Sequence, residues 1–125
     1  MALSYVRQGE DLAAVVKRLL RTASQAQVRP HLLLLDRGFY AVSVLRYLQA
    51  ARRPFLMPVP LRGRPADHPK GPGGTCGFAY WKRSGFSQHR LTGPGGRSAT
   101  VGICVHCRNR QGRRGQHGRE RLVYA

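Results

Sequence analysis

The stretch Val28–Tyr40, VRPHLLLLDRGFY, restricts the fold more than any other part of this chain. Four consecutive leucines, Leu32–Leu35, form a short apolar run with a proline before it and Gly38 soon after. Such a run reads as a strand buried on both faces, in a sheet covered by helices. It stops abruptly on Asp36. A carboxylate left buried and unpaired is costly, so Asp36 is expected to face a cleft, water, a cation or a helix N-terminus. In open α/β sheets the ligand sites lie outside the carboxyl ends of the strands, which makes Asp36 the first candidate for chemistry. The competing reading makes it a cap for the next helix, or a brace for Arg37 in a tight turn.

The flanking pattern supports a layered α/β core. Upstream, Leu12, Val15, Val16, Leu19, Leu20 and Ala23 recur at helical spacing, with Lys17, Arg18 and Arg21 on other faces. A helix over 11–26 follows, with Glu10 and Asp11 as acids at its start. Downstream, Val42, Leu45 and Leu48 make the inner stripe of a second helix over 39–51, ended by Arg52-Arg53-Pro54. Phe55–Val59 reads as another buried strand, held to an edge or terminus by Pro58. With a weak strand at 2–7, the expected order is strand, helix, strand, helix, strand, joined by right-handed crossovers.

After residue 59 the composition changes, because most of the 15 glycines and 8 prolines lie in the second half. Residues 60–75 read as an irregular loop. Three short strands are expected at Gly77–Lys82, Ser98–Val105 and Arg121–Ala125, separated by glycine-rich basic segments. The chain therefore divides into an α/β core over 1–59 and a β-rich, Gly/Arg-rich insertion over 60–125.

Charge indicates the partner. Twenty-two Lys and Arg against five Asp and Glu give a formal +17, which a polyanion would offset. No basic amphipathic helix with a broad apolar face points to a membrane surface, and no apolar run approaches the ~20 residues of a span. Nucleic acid is the expected partner. The densest tract, Arg108–Arg121 (RNRQGRRGQHGRER), carries Arg108, Arg110, Arg113 and Arg114, and is expected to be disordered in the free protein. Arg62, Arg64, Lys70, Lys82 and Arg83 add diffuse charge, with Tyr80 and Trp81 as stacking partners or as filling for a small core. Three cysteines and no export signal suggest reduced thiols in a soluble, cytoplasmic protein. Cys104-Val105-His106-Cys107, completed by Cys76 and His117, could form a zinc site, but one C-x-x-C alone argues weakly for it. His31, His68, His89 and His106 show no ligand spacing with acids.

The segment His31–Pro60, HLLLLDRGFYAVSVLRYLQAARRPFLMPVP, resembles the middle of the catalytic domain of bacterial and archaeal DDE-type insertion-sequence transposases. There a buried strand ends in the second catalytic aspartate, within D-R-G-F/Y, and a helix and a strand like F-[IL]-[MV]-P follow. Here those elements are Leu32–Leu35, Asp36-Arg37-Gly38-Phe39, Val42–Ala51 and Phe55–Pro58. The resemblance implies a ribonuclease-H-like fold in which three carboxylates hold two divalent cations, Mg²⁺ or Mn²⁺, for in-line displacement at phosphorus. Asp36 would be one ligand, with Arg37 beside it, and the intact enzyme, in some cases a homodimer, would act on transposon ends and target DNA.

The other two carboxylates do not fall in the family pattern. Too little chain precedes residue 2 for the first, and the third should lie in Y-x-x-R-x-x-x-E, which neither Asp67 nor Glu120 matches. The expectation is therefore a transposase fragment, inactive by itself, with the β-rich insertion in its family position. The rival reading is a small basic nucleic-acid-binding module, zinc-stabilised or not, with no catalytic ancestry. A third is a translated remnant that does not fold stably.

Overall fold

The computed structural model describes residues 6–65, 67–71, 73–111 and 117–125, with backbone alone described at 109–111 and 117–120. It is a mixed α/β structure with two α-helices and two small sheets among these residues.

The first helix, α1 (Leu12–Gln25), forms where the periodicity places it. Asp11 is its N-cap, accepting a hydrogen bond from the Ala13 amide at 3.2 Å. The same carboxylate accepts from Ser43 Oγ at 2.7 Å, which ties the start of α1 to the second helix. Ala13, Val15 and Val16 are its most buried residues. Gln27, at φ 59°, then turns the chain out of the helix in the left-handed conformation, and the Val28 amide bonds back to Ala23 O at 2.8 Å.

The leucine run is shorter and more open than its sequence suggests. β1 is Leu33–Leu34, and it pairs in parallel with β2 (Phe55–Leu56) through a crossover containing α2 (Val42–Ala50). Leu32 and Leu34 are 51% and 74% exposed, so the strand is not buried on both faces. Leu33, Leu35 and Phe55 pack against the common core, whereas Leu34 and Leu56 on the other side are exposed. The expected second helix is also divided: Arg37–Phe39 form one 3-10 turn, Ala41 is extended, and α2 begins at Val42. Its end is set by Arg52 at φ 49°, with Arg53 N bonded to Leu48 O at 2.9 Å, two residues ahead of Pro54.

The second half forms an antiparallel meander of β3 (Gly85–Thr92), β4 (Ser98–Gln111) and β5 (His117–Tyr124). Three expectations change here. Gly77–Lys82 is not a strand but lies largely in a 3-10 helix, Cys76–Tyr80, because buried Phe78 and half-buried Trp81 turn back edge to face at 5.7 Å. Gly85–Thr92, read as part of a basic connecting segment, is a strand with strict in–out alternation. The described parts of the Arg108–Arg121 tract, 108–111 and 117–121, continue β4 and β5, with backbone register running from Arg108 opposite Glu120 to Gln111 opposite His117, and residues 112–116 lie outside the described residues. Most of the strand expected at 2–7 lies outside the described residues; Val6 and Arg7 are not in a strand. Residues 60–75 hold no helix or strand among those described.

The two sheets meet edge to edge. Met57 N donates to Ala125 O at 3.0 Å, Ala125 N to Met57 O at 2.9 Å, and Val59 N to Val123 O at 2.9 Å. Around this seam Val44, Leu45, Leu48, Met57, Val101, Ile103, Val105 and Val123 form one apolar cluster with Ala13 and Val16. Leu45, Leu48, Met57 and Ile103 are fully buried, each worth about 1.5–3 kcal/mol relative to exposure. The opposite sheet face is open, with Leu56 at 40% and Phe86 at 84% exposure. No described helix is long and apolar enough to cross a membrane.

Candidate functional site

Asp36 follows directly after β1, where Leu35 N donates to Leu56 O at 3.0 Å to close the parallel pairing. It is the residue before the Arg37–Phe39 turn, and its own carbonyl accepts from Phe39 N at 3.0 Å. Its side chain makes no capping hydrogen bond, so the local structure does not use this carboxylate to start a helix. Both Asp36 and Arg37 are exposed, and neither side chain takes part in a hydrogen bond or ion pair among the described residues. The carboxylate thus stands at the carboxyl end of a parallel pair with its lone pairs open to solvent.

A two-metal centre needs several such oxygens to converge. Among the described residues no group of three His, Cys, Asp or Glu side chains could hold a metal ion. Glu10 is engaged by Arg18, at 2.5 and 3.3 Å, and by the Arg7 amide at 3.1 Å. Those hydrogen bonds hold its carboxyl below the usual glutamate range. Asp11 caps α1, and Asp67 lies exposed in the 60–75 loop. The described side chains therefore do not bring three such groups together around Asp36.

The cysteines of C-x-x-C lie on β4, where residues three apart project to opposite faces. Cys107 is on the inner side, its Sγ donating to Trp81 O at 3.5 Å, whereas Cys104 pairs with Phe86 and Tyr124 on the outer side. The two sulfurs do not converge.

The expected nucleic-acid residues fall into separate groups. Lys82 and Arg83 are exposed in the turn before β3, and Ser84 Oγ accepts from Cys107 N at 2.9 Å, which sets that turn at the base of the β4–β5 ribbon. Arg108 stands at the same base, and Arg121 Nε donates to Trp81 O at 3.0 Å. Arg110 is placed by its backbone, opposite Gly118. Arg113 and Arg114 lie outside the described residues. Arg62 and Arg64 belong to the 60–75 loop, organised around buried Thr75, whose Oγ1 donates to Pro60 O at 2.6 Å and accepts from Arg62 N at 2.9 Å. Arg64 Nε is turned onto Gly71 O at 3.3 Å. Arg37 sits beyond β1, at the opposite edge of the joined sheets from β3. Of the aromatics, Trp81 packs against the core and Tyr80 is half exposed. Phe86, the most exposed large apolar side chain described, lies in a segment whose sequence gave no strand signal strong enough to single it out.

Comparisons with protein-family models, with curated proteins and with solved structures returned no match to this chain.

Proposed function

We propose that this chain is the middle of the catalytic domain of a DDE-type insertion-sequence transposase: a partial ribonuclease-H-like core over 1–59 and a β-rich insertion over 60–125. The intact enzyme would cut and join DNA by divalent-metal-dependent phosphoryl transfer. The observation that carries the reading is Asp36. It lies at the carboxyl end of β1 in a parallel β1–α2–β2 unit, followed by a 3-10 turn made of Arg37-Gly38-Phe39, and it makes no structural hydrogen bond. A carboxylate in that place is a hard oxygen ligand held ready for a divalent cation. Bound cations in the intact enzyme would activate the attacking hydroxyl and stabilise the leaving oxygen. Asp36 would contribute charge and position to that site. The open sheet face around Leu34 and Leu56 also supports a partial core, since a ribonuclease-H-like sheet buries both faces.

The test is a Mn²⁺ titration followed by amide NMR. Paramagnetic broadening centred on Asp36–Phe39 that disappears in Asp36→Asn is the expected result. Equal broadening in the two proteins would end the metal-ligand reading. The second reading, a basic nucleic-acid-binding module, is favoured by one feature, the β4–β5 ribbon that carries the arginine tract past the end of β3. It predicts that Asp36→Asn changes nothing, while DNA affinity depends steeply on salt.

A further inference from the structure

A groove of about 800 Å³ opens between the start of α1, the start of α2 and the turn joining β3 to β4. Three cations line it, each from a different element: Lys17 on α1, Arg46 on α2 and Arg97 in the turn. Their sequence separation hides the cluster, and the fold assembles it. Two of the side chains have partners, and the third stands on a closed turn. The Lys17 ammonium lies 5.0 Å from the centre of the Tyr47 ring, and Arg46 Nη1 donates to Ser98 O at 3.4 Å. The turn bearing Arg97 is closed by Gly93 N donating to Arg97 O at 2.8 Å. It is seated on α2 so closely that a Cβ on Gly93 would come within 3.0 Å of Val42 Cγ2.

Two carboxylates share the lining, and both are engaged. Glu10 is paired with Arg18, and Asp11 accepts from Ala13 N and Ser43 Oγ. Three cations therefore face two carboxylates, of which Glu10 has its own counter-charge in Arg18, and Leu12, Val42 and Pro94 give the groove apolar walls. The groove also adjoins Ala41 and Val42, a few residues beyond Asp36 along the chain.

We propose that this groove holds consecutive backbone phosphates of a DNA strand, with Lys17, Arg46 and Arg97 as the phosphate contacts. This rests on the DNA-processing reading above and specifies which surface the strand crosses. The chemistry is that of clustered cations meeting phosphodiester oxygens, with apolar walls against the sugars. A free mononucleotide would satisfy the same cations, and the chain's +17 charge favours the polyanion.

The experiment measures affinity of the full chain for a fluorescent DNA duplex by anisotropy across a salt series. The triple variant Lys17→Ala, Arg46→Ala, Arg97→Ala is compared with Arg21→Ala, Arg29→Ala, Arg53→Ala, which removes equal charge elsewhere. The first triple is expected to lower the slope of log K against log salt by about 2–3, near 0.9 for each lost phosphate contact. The second is expected to leave the slope within about one contact of the parent. Arg97→Ala alone, on an exposed turn, should lower the slope by about one and guards against a folding defect in the triple. Equal losses in both triples would overturn the groove while leaving DNA binding intact. Parent protein that binds no DNA would instead remove the underlying reading. If dAMP shifts Tyr47 and Ser98 resonances while the first triple leaves DNA binding unchanged, the groove is a mononucleotide site and the strand assignment is wrong.

Discussion

Gly93 tests whether the meander and the helices form one packed unit. Its backbone, at φ −110° and ψ −171°, is open to any residue, so alanine introduces no conformational strain there. Alanine for glycine at a compatible position stabilises by about 0.4–1 kcal/mol through the unfolded chain. The new methyl, however, would sit 3.0 Å from Val42 Cγ2 and 3.1 Å from Val42 Cβ, well inside ordinary contact. Overpacking of this kind costs about 1–3 kcal/mol, so the net expectation is a loss of about 1–2 kcal/mol. Val42→Ala alone removes two carbons from a site only 7% exposed, a loss of about 1.6 kcal/mol before any cavity effect. It also removes the Cγ2 contact, which leaves the added methyl one tight neighbour instead of two. The double variant should therefore be about 1 kcal/mol more stable than the two single losses imply. Urea unfolding of the four proteins measures this, with midpoint shifts near half a molar to one molar for each single change. A Gly93→Ala protein that is neutral or more stable than the parent would show that the turn does not rest on α2. Strict additivity would show that Val42 is not what it meets.

Other consequences can be checked on the same protein. Arg52 closes α2 at φ 49°, where a side chain is strained by about 1 kcal/mol, so Arg52→Gly should raise the urea midpoint. The Tyr40 hydroxyl is buried without a hydrogen-bond partner, and burial pushes its pKa up. Tyr40→Phe should therefore be neutral or stabilising by up to about 1 kcal/mol in the same assay, and a clear loss would reveal a hidden partner. His89 packs edge to face on Phe78 at 6.0 Å, and burial holds its imidazole below the ordinary value. The unfolded chain thus takes up the proton first as pH falls through about 6.5, so this contribution to stability is present above that pH and is lost below it. Melting curves between pH 8 and 5 should show the decline, and His89→Leu should flatten it.

The helices were legible because their signals are local. Asp11 caps α1 through an atom two residues away, and the apolar spacing of Val42, Leu45 and Leu48 sets which side of α2 is buried wherever the helix packs. The leucine run was read correctly as a strand next to a carboxylate, but its burial was not. Whether Leu34 is covered depends on what lies across the sheet, which no run of leucines records. The strand at Gly85–Thr92 gives little sequence signal because two of its inner residues, Ser87 and His89, are polar, and His89 packs on Phe78, which lies outside the strand. The described ends of the arginine tract, 108–111 and 117–121, depend on distant partners in a related way. Composition alone gives them no core to pay for ordering, yet register with the hydrophobic halves of β4 and β5 carries the pairing out to Gln111 and His117.

Residue type and local spacing, within a few turns of chain, account for the two helices, their inner faces, the strand that delivers Asp36 and the strong positive charge. The tertiary structure alone decided that Met57–Val59 would join β5, that the cysteines of C-x-x-C would part to opposite faces, and that Lys17, Arg46 and Arg97 would meet around one groove. Those outcomes depend on long-range pairing and burial, whose energies come from partners tens of residues away and leave no local pattern.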